Sequence, residues 1–328
     1  MSGHTKISIM FFILVFAFFM TGCGSDKTSN EVVENVENKE EPETTAEPDI
    51  QETPSLVTAT SEIDLALLQT VREDHEIDKV QALLQQGAEV NIMDDEGETP
   101  LHHIAFLGFF PTAELLVSKG ALINAKNNKN WTPLHVAAWR GNIEVAELLL
   151  DNGADFEAVT DRGETPLHKA AQVGHADITA LLIEKGASIH VTEDTEATPL
   201  HMAANSCRAE VVKLLIEAGA DVNLLDAYKG SPLRRAIQAG GNYSSLPETM
   251  ELLIDNGAEV KEVNRVGWTL LHDAVFYEAG IKAVEILINK GVDINAQTSE
   301  GQTALDMAKE EQQEDIIEFL LSKGALEK

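Results

Sequence analysis

A tetrapeptide that returns every 33 residues limits what this chain can fold into more than any other feature. Thr-Pro-Leu-His stands at 99–102, 132–135, 165–168 and 198–201, and variants follow at Ser231, Thr269 and Thr303. A second marker, Gly-Ala, lies 21 residues after each threonine of the regular copies, at Gly120, Gly153, Gly186 and Gly219. Further copies stand at Gly87, Gly257 and Gly324, with Gly-Val at Gly291. A catalytic histidine is normally placed once, whereas one that recurs with the period belongs to the architecture. A fixed period of this length means one supersecondary unit stacked many times, because such a unit cannot bury its apolar face alone. One continuous solenoid is therefore expected, although 328 residues would otherwise suggest two domains.

Within a unit, Pro133 suits the first turn of a helix, where its missing N–H is not needed. Leu134, Ala137 and Ala138 continue one apolar stripe, and Gly141 stops that short helix. Ile143, Val145, Leu148 and Leu149 predict a second, more apolar helix ending at Asn152-Gly153. The residues through Thr160-Asp161-Arg162-Gly163 read as a turn or hairpin finger, Gly163 supplying the positive φ. Asn130 is a tolerable substitute for that glycine. Glu196 and Lys229 are poorer ones, so their fingers are expected to differ in shape.

Helix, tight turn, helix and finger at this period, marked by Thr-Pro-Leu-His and Ala-Ala, resembles the ankyrin repeat. The resemblance covers residues 61–328 and implies an all-α ankyrin-repeat solenoid of about eight repeats, the first a degenerate cap around Leu68. It also implies that His102, His135, His168, His201 and His272 link the repeats. Each threonine hydroxyl would meet its histidine ring, and the ring would hydrogen-bond the backbone of the adjacent unit, at about 1 kcal/mol apiece. The rival reading is a metal-binding array. Rings one repeat apart are about 10 Å from each other, whereas ligands come within about 2 Å of one ion, so neither metal nor cofactor is expected.

The first residues follow another pattern. Lys6 precedes a nearly all-apolar run from Ile7 to Met20, too short to span a bilayer but fitting the apolar region of a signal peptide. Met20-Thr21-Gly22-Cys23 resembles a bacterial lipobox, which implies cleavage of residues 1–22 and lipidation of Cys23; an uncleaved N-terminal anchor is the alternative. Gly24, not aspartate, follows the cysteine, which implies an exported lipoprotein held at the outer membrane of a two-membrane bacterium. Residues 24–60 hold ten acidic and two basic residues and no aromatic one. A core cannot form from that composition, and 23–60 is expected to be a flexible tether. Cys207, the only other cysteine, has no internal partner and is expected to be a semi-buried thiol in a turn.

The formal charge is −31, of which −24 falls on residues 61–328. So acidic a body repels phosphate backbones, and no basic stripe is present, so nucleic acid is not an expected partner. Solubility of a long exposed array and attraction to a basic partner both fit the charge. The resemblance implies that protein partners bind on the concave face, built from finger tips and the exposed side of each first helix. Carried onto this chain, that face gathers Phe106, Trp131, Trp139 and Arg140 in one cluster and Tyr228, Arg265, Trp268, Phe276 and Tyr277 in another. Arg162 and Glu164 stand at a finger between them. Tryptophan, tyrosine and arginine dominate interface hot spots, while packing over neighbouring repeats is the alternative use of such rings. Extra residues in "AGGNYSSLPETM" are expected as a loop between the two helices of the Ser231 unit.

Nucleophile elbow, phosphate loop and zinc-spaced Cys/His set are all missing from the sequence, so an enzyme is not expected. The leading expectation is a monomeric, lipid-anchored scaffold in the bacterial envelope that binds proteins noncovalently. A passive structural or stress-protective lipoprotein, and an antidote-type inhibitor of a periplasmic protein, are the alternatives.

Overall fold

The computed structural model describes residues 57–58, 61–73, 76–241 and 243–327. The expected signal peptide, Cys23 and most of the acidic linker lie outside those residues. Sixteen helices among the described residues stack as eight antiparallel-style pairs. The cap is α1 (Glu62–Glu73) with α2 (Ile77–Gln85). The regular pairs follow: α3 (Pro100–Leu107) with α4 (Phe110–Ser118), α5 (Pro133–Arg140) with α6 (Ile143–Asp151), and α7 (Pro166–Val173) with α8 (Ala176–Glu184). Next come α9 (Pro199–Asn205) with α10 (Ala209–Glu217) and α11 (Pro232–Gln238) with α12 (Leu246–Asp255). The stack closes with α13 (Leu270–Phe276), α14 (Ile281–Asn289), α15 (Ala304–Glu310) and α16 (Glu314–Ser322). First helices pack on first helices and second on second, giving the expected solenoid of two helical layers.

Each first helix starts as its tetrapeptide dictates. Thr132 caps α5, its hydroxyl taking the N–H of His135 while the His135 ring takes the N–H of Thr132, a reciprocal cap that satisfies two otherwise orphaned donors. Pro133 follows, where no N–H is needed. Gly141 ends the helix at φ 82°, a left-handed conformation that favours glycine, and lies against the His175 ring. The tetrapeptide leucines Leu101, Leu134, Leu167, Leu200 and Leu233 are buried, as are Leu116, Leu149, Leu182, Leu215 and Leu253 from the second helices. Together they form one continuous core, the apolar seam that no single repeat could close.

The folded body begins before the expected boundary at residue 61. Val57–Thr58 pairs in parallel with Ile92–Met93, so the end of the acidic segment is held against the root of the first finger. The extra residues of the Ser231 unit do fall between α11 and α12, but they are seated on both neighbouring repeats. Ser245 donates to the Cys207 carbonyl at 2.7 Å, and Cβ atoms at Gly240 and Gly241 would lie 2.7 and 2.1 Å from the Tyr277 and Glu278 carbonyl oxygens.

Candidate protein-binding surface

The fingers are closed turns built on one recurring acceptor. Asp94, Asn127, Thr160, Asp226, Asn264 and Thr298 each take, on a side-chain oxygen, the N–H groups two and four residues further on; for Asn127 these are Lys129 and Trp131, at 2.9 and 3.0 Å. Glu193 does the same with its longer carboxylate. The fourth residue is left-handed in every finger: Gly97, Asn130, Gly163, Glu196, Lys229, Gly267 and Gly301. Glu196 and Lys229 thus keep the shared shape at φ 59° and 62°, contrary to the expectation that their fingers would differ. The side-chain acceptor and the closing bond from the turn to its first residue hold the loop against the steric cost of the missing glycine. Tip is joined to tip through the backbone, as Asn128 N–H to the Glu96 carbonyl at 3.0 Å and Asp161 N–H to the Lys129 carbonyl at 3.1 Å.

Behind the fingers runs the histidine ladder. Nε2 of His102, His135, His168, His201 and His272 meets the backbone oxygen of Trp131, Glu164, Ala197, Gly230 and Gln302, at 3.0 to 3.2 Å. Nδ1 of each ring accepts its own threonine N–H, so the ring proton resides on Nε2 and the imidazole is neutral. Burial pushes His102, His135 and His168 down to about 4, and lowers His201 and His272 as well. The Ser231 unit carries Arg234 in place of histidine. Its guanidinium bonds the Glu262 carboxylate at 3.1 Å and the Glu262 and Trp268 carbonyls at 3.3 and 3.4 Å, and also pairs with the buried Asp273. Desolvation raises Asp273 to about 7 despite that arginine, and raises Glu262 in the same sense.

The structure brings the four members of the first aromatic cluster together. Trp139 lies edge-on to Trp131 with centroids 5.9 Å apart, and tilted to Phe106 at 6.1 Å. The Arg140 guanidinium sits 4.3 Å from the Phe106 centroid and 5.7 Å from that of Trp139. Phe106 is 40% exposed and Trp139 38%, while Trp131 is half-buried under Lys169, whose Nζ stands 4.5 Å from its ring. Two exposed rings escaped the sequence reading: Phe109 and Phe110 occupy the turn into α4. The signal of Phe109 was the polar residue it replaces. At the Phe109 position Asn142, His175 and Arg208 bond carbonyls of the preceding repeat.

The other residues assigned to the surface separate. Trp268, Phe276 and Tyr277 form an edge-to-face row with centroids 4.9 and 5.0 Å apart, all half-buried. Tyr228, 60% exposed, belongs instead with Arg235, 5.5 Å from its ring. Arg162 and Arg265 are exposed finger residues. Glu164 is not available to a partner. It is 5% exposed, and its carboxylate is spent on the equally buried Lys169 of α7.

Asp94, Glu98 and His103 place ligand-type atoms within 4.8 Å of one another. Arg72 already supplies the positive charge there, pairing with Asp94 and donating to His103 Nε2 at 3.2 Å, so the cluster is an ion-pair knot joining the cap to the first finger. Cys207 is more buried than expected, at 2%, adopts φ 49° where Gly108, Gly141 and Gly174 stand in the preceding repeats, and burial pushes its thiol up to about 11.

Rings, cations and hydrogen-bonding tips on a rigid two-layer stack define a noncovalent recognition solenoid. Ankyrin-repeat family models match residues 67–160, 155–226 and 229–327, and the chain belongs to the ankyrin-repeat family. It is 35% identical over 79 residues to the ankyrin repeat protein YahD of Escherichia coli, covering 23% of this chain and 39% of that one. It is 35% identical over 78 residues to the ankyrin repeat protein FPV031 of Fowlpox virus, covering 23% of each. The matches therefore span well under half the length of either relative. The ankyrin repeat domain of human ASB11 superposes with a TM-score of 0.63 at 25% identity, over 70% of this chain and all of that one.

Proposed function

We propose that this protein is a lipid-anchored, non-enzymatic scaffold of the bacterial envelope that captures protein partners on the face formed by its fingers and first helices. The observation that carries the reading is the Phe106–Trp139–Arg140 group, large rings left exposed on a rigid frame and ordered by a stacked cation. Such aromatic and arginine anchors supply most of the energy of protein interfaces. Membership of the ankyrin-repeat family supports protein recognition in general. The apolar run at Ile7 to Met20 and the following Cys23 support export and lipidation.

Cross-linking capture from envelope extract, using the full chain beside its Trp131→Ala, Trp139→Ala variant, tests the surface. A protein held by the first and released by the second, with the variant's circular dichroism unchanged, supports the scaffold. Equal capture by both removes this surface and favours a passive structural role. Incorporation of labelled palmitate, compared with Cys23→Ala, tests the anchor separately.

A further inference from the structure

The charge of this chain is −31, which on its own would recommend a basic partner. Around one patch its distribution argues the opposite. All seven arginines, Arg72 through Arg265, lie on first helices, fingers or the turn at Arg208, and none lies on a second helix. The third repeat shows the division most sharply. Its outer helix α6 carries Glu144, Glu147 and Asp151 with no base, while its finger side carries Lys126, Lys129 and Arg140, all exposed, with Arg162 on the next finger. Among the described residues none of these four cations has a carboxylate within ion-pairing distance, although Arg72, Lys169, Arg234 and Arg235 all do.

Arg140 is also held in readiness. Stacking on Phe106 and Trp139 and a 3.4 Å bond from Nε to the Phe106 carbonyl fix the guanidinium plane. Both terminal nitrogens remain without a partner among the described residues. A guanidinium fixed by its inner nitrogen presents an outer edge that matches a carboxylate in a two-bond fork, and little side-chain entropy is left to lose on binding. Beside it, the exposed edges of Phe106 and Trp139 offer apolar contact.

We propose that the Phe106–Trp139–Arg140 patch receives an acidic peptide segment of a partner protein, a carboxylate forking onto Arg140 and an adjacent apolar side chain packing on the two rings. Lys129 and Arg162 then extend the attraction to neighbouring carboxylates. This inference rests on the finger-face reading above and specifies its partner. A basic segment is the competing occupant, favoured by net charge alone.

The test is an array of short synthetic peptides varied systematically in acidic, basic and apolar content, probed with the full chain, its Arg140→Glu variant and its Trp139→Ala variant. Peptides combining Asp or Glu with Leu or Phe should be retained, with retention falling at least about tenfold for Arg140→Glu, the equivalent of about 1.4 kcal/mol, and falling as salt rises. Retention of Lys- and Arg-rich peptides that depends on Trp139 would overturn the acidic partner and leave the finger-face reading standing. Retention unchanged in both variants, or none at all, would overturn the inference; unchanged retention would remove the finger-face reading as well.

Discussion

The Nε2 atom of His135 stands 3.0 Å from the backbone oxygen of Glu164, one finger further along the chain. The same ring caps the start of its own helix through Nδ1. One side chain therefore closes a repeat and fastens it to the next, both within a buried interface. Replacing it by alanine removes the bond to the next repeat and leaves the buried Thr132 N–H without its acceptor. The expected loss for His135→Ala is about 2–4 kcal/mol, a lost cap plus an unsatisfied buried donor, read as a lower urea midpoint. A loss below about 0.5 kcal/mol, the range of ordinary surface substitutions, would contradict the role given to the ladder.

The ladder also sets the response to acid. His102, His135 and His168 are held down to about 4 in the folded protein, against an ordinary value of 6.5. Below pH 6.5 the unfolded chain takes up protons that the folded chain refuses, so their contribution is complete above that pH and is lost progressively as pH falls towards 4. Each such proton shifts stability by about 1.4 kcal/mol per pH unit. Urea midpoints measured across pH 4–7 should fall steeply towards the acid end, and a flat profile would exclude neutral ladder imidazoles.

Asp273 acts with the opposite sign. Burial raises it to about 7 from 3.8, so the folded form holds a proton more readily than the unfolded one between those values, and protonation there favours folding. Among the described residues Arg234 is the only cation that pairs with both Glu262 and Asp273. Arg234→Met is expected to cost about 3–5 kcal/mol by stranding buried carboxylates, whereas Asp273→Asn at pH 7 removes one of the two competing charges and costs far less. Thermal unfolding of the two variants checks the order; equal losses would mean that the arginine acts by packing alone.

The Cys207 thiol, 2% exposed and pushed up to about 11, should resist labelling in the native protein at neutral pH. In urea it should react at the rate of an ordinary thiol. Fast labelling of native protein would show that the turn before α10 opens readily.

Much of the frame is legible from single residues because its causes are local. The proline, the capping threonine and the closing glycine each act within a turn of their own position, which is why the limits of α5 and α6 follow from residues 132–153. Pairings that reach beyond a single turn carry no such signal. Nothing near Glu164 announces that Lys169 will bury it, and Arg234 reads as a lost histidine until Glu262 and Asp273, 28 and 39 residues away, are brought alongside. Val57–Thr58 sits in a segment whose composition forbids a core, yet two residues suffice to pair with a neighbouring strand. Among the rings, the sequence locates Trp131, Trp139 and Phe106 on one face, but Tyr228 joins Arg235 because Asp226 in the finger holds both the Tyr228 N–H and the Arg235 guanidinium.

That His135 grips the backbone of Glu164 rather than its side chain has an evolutionary corollary. Every residue offers a carbonyl oxygen, so a repeat imposes no sequence requirement on the residue it grips, and Trp131, Ala197, Gly230 and Gln302 serve equally well at that place in other repeats. Units can be duplicated, exchanged or given new finger residues while the fastening stays intact. Inheritance of the frame and innovation on its face are thereby uncoupled.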